Sequence, residues 1–91
     1  MNNMKPIEEA KNIGPTIAKA LNEINIFTLQ DLAKRTPVKA YVEICKNKQD
    51  KTVPLCYYLY SLQGALRNTD WRRLTKETKN KLRKEAEYLL K

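Results

Sequence analysis

The chain predicts an all-α fold, a compact bundle of five or six short helices. Apolar residues recur every three or four positions along most of it, as in Leu55, Leu59, Leu62 and Leu66, the spacing of one helix face. No stretch alternates apolar and polar residues as a half-buried strand does. Proline, threonine and asparagine cut the 91 residues into short segments of helical length, with capping residues at their starts. A chain this long forms one domain, residues 1–91, with a single core that hides about 60–65% of the unfolded surface. Residues 1–5 read as a flexible polar tail.

"PIEEAKN" reads as a first helix, with Pro6 in its first turn and Glu8 and Glu9 near the positive end of the dipole. A bend at Ile13-Gly14 ends it, and Pro15 opens a second helix whose apolar face is Ile17, Ala18, Leu21 and Ile24. Asn25 closes that helix, because asparagine tolerates the left-handed backbone of a C-terminal cap. Thr28 caps a third helix, "LQDLAKR", and Thr36-Pro37 starts a fourth, with Val38, Tyr41, Val42 and Cys45 on its inner side. After the polar loop "NKQDKT", Pro54 leads into "LCYYLYSLQGALRN", apolar nearly all round and so central to the domain. Gly64 within it predicts that another helix crosses close by. The turn "NTDW" offers Thr69 or Asp70 as a cap and Trp71 as an anchor; Thr75 then caps a last helix with a stripe of Leu74, Leu82, Ala86 and Leu89.

Charge is unevenly spread. The net charge is +8, of which residues 1–45 carry +1 and residues 46–91 carry +7. This asymmetry points to an anionic partner for the second half, nucleic acid first and an acidic protein next; a solvated lysine-rich face is the alternative. Cys45 and Cys56 lie eleven positions apart with no histidine in the chain, too few soft ligands for zinc, so both read as small core residues with free thiols. No run approaches the roughly 20 apolar residues of a membrane span. The opening residues lack a secretory signal, so a cytoplasmic location is expected, with no membrane, metal or cofactor. Catalysis is not expected either: there is no histidine base, no phosphate-cradling Gly-Lys-Ser/Thr loop and no nucleophile motif.

Two stretches are candidate contact sites. At the bend, Asn12, Ile13, Gly14, Thr16 and Lys19 surround a helix start whose free N–H groups suit a phosphate. Alternatively the bend is only a corner, with Gly14 in a conformation closed to other residues and Ile13 and Ile17 plugging the core. Toward the carboxyl end, Arg72, Arg73, Lys76, Lys79, Lys81, Arg83 and Lys84 gather beside a single acid, Glu77. They read as a basic face for phosphates or an acidic partner, against the alternative of a solvated helix face. Tyr57, Tyr58 and Tyr60 read as core residues.

"NIGPTIAKALNEINIFTLQDL" resembles a helix-hairpin-helix element. With Ala40-Tyr41, the series Leu59 to Leu66 and Trp71, the chain resembles the C-terminal domain of TfoX (Sxy), the bacterial regulator of competence for DNA transformation. The resemblance spans about residues 7–75 in order and spacing. It implies a small helical domain, here standing alone without the family's usual N-terminal domain, that acts in transcription or DNA-uptake regulation. Its implied partner is nucleic acid, bound electrostatically without base readout. The second reading is a protein-interaction module, possible also as a homodimer, that meets an acidic surface of a transcription component.

Overall fold

In the computed structural model the described residues are 6–47 and 55–90. The tail 1–5, the polar loop beyond Asn47, Pro54 and the side chains of Leu55 and Cys56 lie outside them. A 3₁₀ turn, Ile7–Glu9, leads to helices α1 (Pro15–Glu23), α2 (Leu29–Arg35), α3 (Pro37–Asn47) and α4 (Leu55–Arg67). A second 3₁₀ turn, Trp71–Arg73, precedes α5 (Lys76–Leu90). Among the described residues there is no strand, only an isolated bridge between Pro6 and Thr28. The all-α class is therefore the observed one.

The expected first helix is shorter than its sequence promises. "PIEEAKN" makes a single 3₁₀ turn, because Ala10 is already extended and Asn12 is left-handed; the Ile7 N–H, an orphan donor at a helix start, donates to the Phe27 carbonyl at 2.9 Å. The remaining helices begin where their capping residues stand. Thr28 and Asp31 form a reciprocal capping box at α2. Asp70 caps the second 3₁₀ turn through the Arg72 N–H, and Thr75 accepts from Thr78 N–H at the start of α5.

Helix ends rely on asparagine. At Asn25 (φ 67) and Asn68 (φ 53) the chain takes the left-handed conformation. Each closes a Schellman motif: Ile26 N–H to Leu21 O with Asn25 N–H to Asn22 O, and Thr69 N–H to Gly64 O with Asn68 N–H to Ala65 O. Thr36 alone joins α2 to α3, at φ 75 and ψ 147.

The core is built around α4, which packs against α2, α3 and α5. Leu59, Leu62, Ala65, Tyr58 and Tyr60 are buried there with Ile17, Leu21, Ile26, Leu32, Ala40 and Ile44, as an all-round apolar helix requires. Three residues depart from expectation. Tyr57 is half exposed and turns its ring edge-on to Trp71, centroids 6.4 Å apart. Leu89 is exposed on the last turn of α5, so the buried stripe ends at Ala86. What crosses α4 at Gly64 is not a helix. A Cβ there would meet Asn12 Nδ2 at 2.5 Å and the Thr69 carbonyl at 2.7 Å. Cys45 is a free thiol, half buried against the core.

Candidate functional site

The two candidate stretches meet, and Asn12 is the reason. It sits at the bend with φ 73, a left-handed conformation that asparagine tolerates. From there its amide reaches across α4. Asn12 Nδ2 donates to the Thr69 carbonyl at 2.8 Å, and the Trp71 N–H donates to Asn12 Oδ1 at 3.3 Å. Both ends of the amide are thus hydrogen-bonded to the 68–71 turn. The Ile13 N–H is likewise used, by the Ala10 carbonyl at 3.2 Å.

Gly14 departs from the conformation expected of it. Its φ of −90 and ψ of −178 are open to any residue, and a Cβ built on it meets nothing within 4 Å. The left-handed residue of the corner is Asn12. Gly14, Thr16 and Lys19 remain accessible, and Lys19 of α1 lines a shallow depression with Glu8 and Ile13.

Fixing the bend to the turn brings Lys11 beside Arg72 and Arg73. These three cations line an open cleft of about 520 Å³, together with Asn68, Thr69 and Asp70. The cleft therefore carries three positive charges and one negative. Asp70 is not free in it. Arg72 grips the carboxylate with a two-pronged fork, Nε to Oδ1 at 3.1 Å and Nη2 to Oδ2 at 2.8 Å. That hydrogen bonding holds the Asp70 carboxyl well below the usual carboxylate range, with Lys11 adding a smaller push the same way, and raises the Arg72 guanidinium. Among the described residues no carboxylate pairs with Lys11 or Arg73.

The cations of α5 divide into two flanks. At about 100° per residue, Lys79, Arg83 and Lys76 fall within an arc of about 60°. Lys79 marks where that arc lies: its ammonium is 5.6 Å from the ring centroids of both Tyr60 and Trp71, a cation–π site beside the second 3₁₀ turn. Lys81 and Lys84 lie on the other flank with Glu77 between them, and Lys84 adjoins Glu85, Tyr88 and Leu89. Arg72, Arg73, Lys76, Lys79 and Arg83 thus run from the cleft along one side of α5, while Lys84 stands apart. Apart from Arg72, none of these cations has a carboxylate partner among the described residues. The convergence of Lys11 on this surface has no local signal in the sequence. It depends on a hydrogen bond between residues 57 positions apart.

A small helical domain whose N-terminal bend is tied to a basic turn defines the class. The profile of the TfoX C-terminal domain matches residues 3–86, and the chain belongs to that family. A crystal structure of an uncharacterized protein from Listeria monocytogenes is similar to it, with 26% identity, 92% of each chain covered and a TM-score of 0.79. A search of curated proteins found no match. Among the described residues no helix is long and apolar enough to cross a membrane.

Proposed function

We infer that this chain is a non-enzymatic regulatory or accessory domain of the cytoplasm that docks on DNA through its basic surface, in competence or transcription regulation. Membership of the TfoX C-terminal domain family supports the regulatory role. The observation that carries DNA docking is the grouping of cations: Lys11, Arg72 and Arg73 at one cleft, and Lys76 and Arg83 on the arc of α5 whose Lys79 lies against Trp71. Phosphates are met by charge and by forked hydrogen bonds there. Among the described residues no set of Asn, Gln or Arg side chains is arranged on a protruding element to read base edges, and the proposed binding is sequence-tolerant.

The test is a salt titration. A duplex of about 20 base pairs binds at about 50 mM salt, and engagement of about four phosphates gives a slope of about −3.6 in log affinity against log salt. Affinity then drops by about a hundredfold by about 200 mM. Arg72→Ala/Arg73→Ala/Lys76→Ala weakens binding more than Thr16→Ala. Exposed Tyr88, Leu89 and Leu90 at the end of α5 favour a second reading, a protein-docking or self-associating module. That reading prevails if neither duplex nor single strand binds at low salt while the chain sediments as a dimer or captures an acidic protein.

A further inference from the structure

The Arg72–Asp70 pair is a bidentate guanidinium fork, two N–H bonds to two carboxylate oxygens, the same fork that binds two oxygens of a phosphate. The carboxylate is itself held in place, since its Oδ1 also accepts the Arg72 N–H at 2.9 Å. Lys11 and Arg73 line the same cleft without a carboxylate partner among the described residues, and Asn68 and Thr69 supply polar edges. A phosphate entering between Lys11 and Arg73 arrives where Asp70 already occupies the third cation. We propose that this cleft is a phosphate site, that its occupant is a backbone phosphate of nucleic acid, and that Asp70 is a built-in competitor for Arg72. The source of the phosphate rests on the DNA-docking reading; the competition rests on the cleft alone.

Phosphate displaces the carboxylate from the fork, because a phosphodiester or pyrophosphate offers the same two acceptor oxygens while also satisfying Lys11 and Arg73. The exchange leaves Asp70 facing solvent at its 3₁₀ cap. Its strength is bounded: an exposed ion pair in water is weak, so release of Arg72 improves phosphate binding by up to about fivefold.

The experiment uses the full chain, with inorganic pyrophosphate followed by NMR and a duplex of about 20 base pairs followed by fluorescence. Asp70→Asn keeps the capping oxygen and removes the charge. Glu87→Gln makes the same charge change about 16 Å along α5 from Lys76, beyond a Debye length. Pyrophosphate is expected to shift the amides of residues 68–73 and the Arg72 Nε–H signal saturably, and Lys11→Ala to reduce this binding. Asp70→Asn binds tighter by up to about fivefold, and steepens the duplex salt slope by about 0.9. Glu87→Gln, which is remote from the cleft, leaves pyrophosphate binding unchanged, and in an Arg72→Gln background Asp70→Asn loses its advantage over Glu87→Gln toward pyrophosphate.

Shifts centred away from 68–73, or an Asp70→Asn variant no tighter than Glu87→Gln toward pyrophosphate, overturn the cleft proposal even if the duplex still binds. Competition for pyrophosphate with no duplex binding by any variant upholds the cleft and its competitor, and overturns both the nucleic-acid occupant and the DNA-docking function.

Discussion

Asn12 and Gly64 form one device seen from its two sides. The Asn12 amide can reach the Thr69 carbonyl only because α4 presents no side chain at 64, where a Cβ would stand 2.5 Å from Nδ2 and 3.3 Å from Trp71 Cα. Alanine at 64 gains about 1 kcal/mol of helix propensity. It forces apart the Thr69 and Trp71 backbone, an overpacking cost of about 1–3 kcal/mol, and backbone yields less readily than a side-chain end. Gly64→Ala is therefore expected to lower the urea midpoint. Asn12→Gly keeps the left-handed backbone and removes the two bonds, for an expected loss of about 1–2 kcal/mol; Asn12→Ala adds about 1 kcal/mol of backbone cost. Equal midpoints for Asn12→Gly and wild type would show that conformation alone matters at this residue. Sequence reasoning saw the need for a close approach at Gly64 and mistook its source, because an amide arriving from 52 residues away leaves no local pattern.

Helices themselves were legible wherever their signals are local. Thr28, Thr75 and Asn25 act within three or four residues of themselves, and each does what its type predicts. The first segment failed because the chain is extended at Ala10 and left-handed at Asn12, whose amide is bonded to Thr69 and Trp71, a tertiary demand that propensity cannot register. Thr36 is a further case. No linker separates α2 from α3, so one residue must reverse the chain, and Pro37 restricts it to extended ψ. The outcome, φ 75 with ψ 147, borders a region that only glycine occupies freely. The compensating bond from the Lys39 N–H to Thr36 Oγ1 is long, at 3.4 Å. Thr36→Gly relieves about 1–2 kcal/mol, loses a few tenths from the cap and about 0.5–1 kcal/mol through the more flexible unfolded chain. A small rise in thermal midpoint is expected, and a drop measured by calorimetry would show that the threonine is held there by contacts worth more than its strain.

For the whole molecule, charge sets the response to acid. Asp31 is held below its ordinary range chiefly by the Phe27 N–H, and Asp70 by Arg72. Carboxyls with lowered folded values contribute stability that is fully present above the unfolded value of about 3.9 and is lost as pH falls through the folded values. Protonation also lifts the net charge from +8 toward +18, so self-repulsion acts in the same direction. With no histidine in the chain, stability should be nearly flat between about pH 5 and pH 7 and fall on the acid side. Urea midpoints across pH should show shallower acid limbs for Asp31→Asn and Asp70→Asn; limbs parallel to wild type would remove these two residues from the linkage. The global charge imbalance was readable from composition. Its division between two flanks of α5, and its extension to Lys11, required the folded body.

The Asn12 tie also has a mechanical meaning. The chain before α1 and the strap before α5 belong to distant parts of the sequence, yet they are pinned at a common point over α4. A ligand that tugs on Lys11 is pulling, through one amide, on the foot of the longest helix. The bend and the basic strap are therefore fastened to each other at one point.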